Sequence, residues 1–270
     1  MKNYQFDSAH HIHLLDGKPL IGTTTALYIL DKPGLVWWGS SLACAEFGWV
    51  NPKKASVKEF EEASKNKLAE IKQMDNEQYL RLLNTAYRAH SVKKTESAEK
   101  GISLHEQIEN YIKCKVSGTE PLLIDDSIKP FVEWSEKNVS RFLFSELHCY
   151  SEVLWAGGII DFCYIDKQGR NVLGDIKSSE KPYYSHWLQL GAYTTQLSEN
   201  GGYTPEGKRV FTLDKPIAYH AVFCERGGLG KPFFNFEMDG VRKAFAYCIN
   251  LYKEKIWWDD KKCVKRDANV

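Results

Sequence analysis

Between residues 157 and 177 the chain reads as two short apolar strands that carry charge at three positions. Gly157-Gly158 is a hairpin-turn signal, so a strand over 159–165 is expected to open directly after it. Asp166-Lys167-Gln168-Gly169-Arg170 marks the next turn, and 171–177 follows as a further strand. Side chains two apart on a strand share a face, so Asp175 and Lys177 point together while Ile176 turns to the core. Antiparallel pairing of these strands brings Asp161 beside Asp175. Two carboxylates that close repel unless a cation lies between them, and oxygen donors of this kind suit Mg²⁺ or Mn²⁺. A lysine next to them can hold a water or steady charge developing on a phosphoryl group.

The flanks extend the pattern. Residues 146–154 alternate, with Glu146, His148, Tyr150 and Glu152 on one face, and are expected to form the first strand of the sheet. The turn to the second strand is placed at Trp155-Ala156-Gly157-Gly158, which would set Glu152 near Asp161 to bind a second ion or orient a ligand. Residues 128–144 read as one helix with Pro130 in its first turn. Upstream, 102–113 is amphipathic, and His105 and Glu109, four apart, share a face. Downstream, a helix over 183–198 puts Gln189 and Tyr193 on one face and stops at Asn200-Gly201-Gly202. A strand over 217–224, another over 233–238 and a helix over 241–258 complete this part.

Three motifs in order, Gly101-x-x-x-His105-x-x-x-Glu109, Asp161-x13-Asp175-x-Lys177 and Gln189-x-x-x-Tyr193, resemble the PD-(D/E)XK nuclease superfamily, in its RecB-like, lambda-exonuclease-like branch. The resemblance covers roughly residues 100–225. It implies an α/β fold with a restriction-endonuclease-like αβββαβ core, and Mg²⁺- or Mn²⁺-dependent hydrolysis of DNA, exonucleolytic in preference to site-specific. By the same resemblance His105, Asp161, Asp175 and the Ile176 carbonyl hold the metal. Lys177 positions or deprotonates the attacking water, and Glu152 is a further catalytic acid. Gln189, Tyr193, Ser178 and Glu109 face the nucleic acid, and the products carry 5′-phosphate and 3′-hydroxyl ends. Expected partners are single-stranded DNA or duplex ends, with a recombination protein as a further one. Two alternatives remain open: a structure-specific or restriction-type endonuclease, and a catalytically silent nuclease-fold module that binds nucleic acid.

Ahead of this core, residues 1–100 are expected to form a mostly helical lobe, 101–258 the nuclease core and 259–270 a charged tail. Residues 53–100 are helical and charged, with a break expected at Asp75-Asn76-Glu77. Eleven Lys and Arg stand against eight Asp and Glu from Lys53 to Lys100, and eight against three from Arg242 to Arg266. With a net charge of only +1, these runs read first as solvated helix faces. His10, His11 and His13 are expected at the surface, and Trp37, Trp38 and Trp49 in the core, with base stacking as the alternative. Seven scattered cysteines, none in a C-x-x-C pair, fit reduced thiols in a cytoplasmic protein and argue against structural zinc. Cys224, Cys248 and Cys263 are too far apart for the cluster some RecB-like nucleases carry, so no iron–sulfur cluster is expected. No apolar run reaches the roughly 20 residues of a membrane span, and the amino terminus lacks the apolar segment of a signal peptide.

Overall fold

A computed structural model describes residues 3–51, 53–121 and 123–261. The side chains of 33, 96–103 and 257–261, Gly101 among them, and everything from 262 on, Cys263 included, lie outside the described residues. The chain divides into two compact units, Met1–Leu30 with Ser103–Val270, and Asp31–Ile102. The first 30 residues therefore belong to the same unit as the core and not to the amino-terminal lobe.

The first unit opens with a small antiparallel sheet of β1 (Tyr4–Asp7), β2 (Ile12–Leu15) and β3 (Lys18–Pro19). β4 (Ile21–Gly22) and the one-turn α1 (Thr23–Ala26) follow. Thr23, Thr24 and Thr25 lie within this helix, and its cap is Gly22. His10 and His11 are exposed as expected, but His13 is only 4% exposed. Its Nδ1 lies 2.7 Å from the Tyr4 hydroxyl, and its ring sits among Tyr4, Phe6 and His148. Burial pushes the His13 imidazole down to about 3, so it is a neutral core residue.

The second unit holds α2 (Pro33–Ala45), α3 (Val57–Ile71) and residues 76–102 of α4 (Asn76–Ser117). α3 starts at a capping box, the Glu59 amide donating to Ser56 Oγ and the Ser56 amide to Glu59 Oε2. The break before α4 falls where Asp75 was expected to place one. Trp37 and Trp38 are 75% and 38% exposed, which corrects the expectation of core packing; Trp49 is half-buried. A tryptophan pair packs only where facing apolar surface exists, and charged, largely exposed α3 buries no residue fully.

Within the first unit, residues 103–117 of α4 lead to α5 (Lys129–Asn138). Three antiparallel strands follow, β5 (Val139–Ser151), β6 (Ala156–Asp166) and β7 (Asn171–Lys177), and then α6 (Tyr184–Asn200). β8 (Gly202–Tyr203), β9 (Arg209–Phe211), β10 (Ile217–Cys224), β11 (Phe233–Asn235) and α7 (Met238–Lys261) complete it. The main sheet runs β11-β10-β7-β6-β5-β8-β9, with β4 beside β6; β10 is parallel to β7 and β11 antiparallel to β10. The protein is thus a mixed α/β fold. On one face, Leu104, Ile108 and Ile112 of α4 and Phe131 of α5 pack with Phe162, Tyr164 and Phe223 of the sheet. On the other, Leu190, Tyr193 and Leu197 of α6 meet Cys163, Leu173 and Val222. Each such large side chain removed from water contributes about 1.5–3 kcal/mol.

The helix expected over 128–144 ends at Asn138, because Val139, Phe142 and Phe144 are consumed by pairing with β6 and by the core. Gly157-Gly158 is not the turn either; the chain reverses at Glu152–Trp155, with Trp155 at φ 55°, and both glycines are interior to β6. A Cβ on Gly157 would lie 2.7 Å from the His13 side chain, and one on Gly158 2.4 Å from the Tyr193 ring. The glycines are there for close approach, not for reversal.

Candidate active site

β6 and β7 pair from Ile165–Asn171 to Phe162–Gly174 and then part. A Cβ on Gly174 would lie 2.1 Å from the Phe162 ring, so only glycine lets β7 pass there. Asp161 and Asp175 are the first residues beyond the parting. Their position turns a ladder into a pocket: Asp161 Oδ2 accepts the Ile176 amide at 2.8 Å, in place of a backbone partner.

His105 Nε2 of α4 lies 3.0 Å from the same Asp161 oxygen. The helix is rotated to deliver it, since Leu104, Ile108, Tyr111 and Ile112 are all buried in the core beneath. Lys177 Nζ donates to Asp175 Oδ1 at 2.7 Å, the contact that their spacing on one strand face predicts. Asp175 is 1% exposed, and its other oxygen, Oδ2, has no hydrogen-bond partner among the described residues. Five of the expected residues, His105, Asp161, Asp175, Ile176 and Lys177, are therefore in one place.

The charges there are mutually tuned. Burial, reinforced by Asp161, pushes the Asp175 carboxyl up to about 7, although Lys177 opposes it. Burial works against Asp161 too, but the His105 hydrogen bond and the Lys177 charge hold it below the usual carboxylate range. The Asp161 hydrogen bond raises His105. Burial opposes the Lys177 ammonium, yet Asp175 and Asp161 hold its pKa above the ordinary lysine value.

Gln189 and Tyr193 lie on α6, Gln189 Nε2 donating to the Tyr193 hydroxyl at 2.8 Å. Both are buried, and Tyr193 packs over Gly158; burial and the charges of Asp161 and Asp175 push its phenol well up. Ser178 is exposed at the end of β7, its carbonyl accepting from Arg226 Nε at 2.7 Å. Glu109 pairs with Lys113, and its carboxylate, the His105 ring and Glu146 bring one ligand atom each within 4.8 Å of one another. Glu152 is not with them. It sits in the turn beside Ser151, which pairs with Ala156, five residues or about 17 Å along β6 from Asp161.

Glu146 takes the position by Asp161 that Glu152 was expected to fill. It falls between the Ser145–Phe162 and Leu147–Ile160 pairs, hence opposite Asp161, at φ 48°. Burial and the neighbouring Glu109 raise its pKa. Alternation marked its face, but nothing local marks its register. Gln196 Nε2 donates to Thr23 Oγ1 at 2.8 Å, which donates to the Gly157 carbonyl at 3.0 Å. This buried chain ties α1 and α6 to β6 four residues from Asp161, and no sequence spacing signals it.

No protein-family model matches the chain. No curated protein matches it either. Among the described residues no helix is long and apolar enough to cross a membrane.

Proposed function

We propose that this chain is a metal-dependent deoxyribonuclease with a PD-(D/E)XK centre on a restriction-endonuclease-like αβββαβ core, acting as an exonuclease. The observation that carries the reading is the convergence, from α4, β6 and β7, of His105, Asp161, Asp175 and Lys177, with one buried Asp175 oxygen lacking a hydrogen bond among the described residues. A buried, unbonded carboxylate oxygen costs free energy unless something coordinates it. Helix, three antiparallel strands, helix and a strand parallel to β7 is also the order that such a core requires.

Asp161, Asp175, the Ile176 carbonyl and His105 would hold Mg²⁺ or Mn²⁺, and their oxygen-rich donor set fits such an ion. Bound there, the ion would supply a Lewis acid for the scissile phosphate and lower the pKa of a water. His105 binds only as the neutral imidazole, and its Nε2, 3.0 Å from the Asp161 carboxylate, would exchange that contact for the ion. Lys177, held protonated by two carboxylates, orients water and stabilises negative charge on the phosphoryl group; its raised pKa argues against a general-base role. Tyr193, fixed by Gln189, forms the wall on the α6 side.

The test is digestion of end-labelled linear single- and double-stranded DNA beside a closed circle, with Mg²⁺, Mn²⁺ or EDTA. Wild type, Lys177→Ala and Asp175→Asn are compared. Metal-dependent loss of the linear substrates, a spared circle and inactive variants are expected, with 5′-phosphate and 3′-hydroxyl products. Cutting of the circle would replace the exonuclease with an endonuclease. Silence on every substrate would leave a binding module.

A further inference from the structure

The loop after β10 is Glu225-Arg226-Gly227-Gly228-Leu229-Gly230-Lys231. It closes over the start and end of α5 to form a cleft of about 440 Å³, lined by Glu133, Trp134, Lys137, Gly227, Gly228 and Lys231 among others. Trp134 packs edge-on against Phe223 and Tyr164, which makes that wall rigid. Lys137 and Lys231 are exposed, and among the described residues neither has an acidic partner. Among the described residues Glu133 is the single acid in the lining. Gly230 also lines the cleft, and its amide has no acceptor among the described residues. Gly228, at φ 94°, makes the bend that brings Lys231 round.

The cleft is tied to the candidate centre. Cys224, the residue before the loop, pairs with Lys177 across the parallel β7–β10 ladder. Arg226 Nε donates to the Ser178 carbonyl at 2.7 Å and its amide to the Ser179 carbonyl at 3.3 Å. A Cβ on Gly227 would lie 2.1 Å from the Glu180 carbonyl oxygen, so the loop lies flush against the segment leaving Lys177. Arg226 is exposed and held in place by one nitrogen of its guanidinium, which leaves the others to donate outward.

We propose that Arg226 and the cleft of Lys137, Lys231 and the Gly230 amide bind the sugar–phosphate backbone of the nucleic-acid strand flanking the scissile phosphate. The inference rests on the nuclease reading of the adjacent centre. Ammonium groups without an acidic partner and an open backbone amide bind phosphate oxygens, and neither reads a base, so the contact is independent of sequence. The loop thereby gives the strand a fixed direction away from Lys177.

The test compares wild type with K137A/K231A and with K18A/K215A, a pair of exposed lysines elsewhere in the same unit. Binding of a labelled single-stranded oligonucleotide is followed by anisotropy in EDTA over a range of salt, and cleavage is measured in Mn²⁺. K137A/K231A is expected to bind at least tenfold more weakly, with a salt slope smaller by about 1.4, two phosphates at about 0.7 each. Its KM rises while kcat at saturating DNA holds, and K18A/K215A behaves as wild type. If K137A/K231A binds with wild-type affinity and slope while wild type cleaves DNA, the cleft proposal fails and the nuclease reading stands. If wild type binds but cleaves nothing, and K137A/K231A loses binding, the nuclease reading fails and the cleft stands. If wild type does not bind, both fail. Lysine acetylation followed by mass spectrometry separates a strand from a free anion. Protection of Lys137 and Lys231 by the oligonucleotide supports the proposal, and equal protection by millimolar inorganic phosphate overturns it.

Discussion

If Asp161, Asp175 and His105 hold a divalent ion, the ion stabilises the fold, and the benefit depends on pH in a way the site dictates. Asp175 ligates only as a carboxylate, and its pKa in the fold is about 7. At pH 8 nearly all of it is ionised; at pH 6 about one part in eleven is, so apparent affinity falls about tenfold. With the metal at one hundred times its pH 8 dissociation constant, stabilisation is about 2.7 kcal/mol at pH 8 and about 1.4 kcal/mol at pH 6. For a chain this long, those values correspond to melting shifts of roughly 5–10 °C and 3–5 °C. His105, raised by Asp161, must also lose its proton, which steepens the fall. The assay is thermal melting with Mn²⁺ against EDTA at both pH values, for wild type and Asp175→Asn. In the substituted protein the shift should nearly vanish at both. A wild-type shift that is absent, or equal at pH 6 and 8, would refute the reasoning, whether or not the protein cuts DNA.

Other consequences follow from the same geometry. Gly158→Ala forces a methyl against the Tyr193 ring and should cost about 1–3 kcal/mol in urea unfolding, with a fall in kcat; an unchanged midpoint would contradict the close approach. Glu146 has a raised pKa, so its fold-specific stability is complete below the ordinary glutamate value and is lost as pH rises through the folded one. Glu146→Gln should therefore melt higher than wild type at pH 8 and no higher at pH 3.5 in differential scanning calorimetry. His148 is buried, its pKa is lowered to about 4, and its Nδ1 lacks a partner among the described residues. A lowered histidine costs stability as pH falls below its unfolded value, by up to about 1.4 kcal/mol per pH unit between pH 6.5 and 4. His148→Phe, which keeps the ring contact with Phe6, should flatten acid unfolding by one proton's worth of slope, and an unaltered slope would show that His148 is not buried neutral.

What the chain's order of residues determined is what local covalent geometry determines. A strand repeats every two residues and a helix every 3.6, so the shared face of Asp175 and Lys177, of His105 and Glu109, and of Gln189 and Tyr193 could be read without any partner. β7 and β10 have the bounds expected of them. Tertiary structure alone decided the rest, because each remaining feature is a contact between distant segments. The register that sets Glu146, and not Glu152, against Asp161 belongs to the β5–β6 pairing. Gly157 and Gly158 look like a turn until His13 and Tyr193 are seen filling the space a side chain would need. Residues 139–144 follow a helix and become strand because β6 offers a partner, whereas Trp37 and Trp38 stay exposed although they are the kind of residue a core takes. Periodicity says which way a side chain faces. Only the packed chain supplies what it faces.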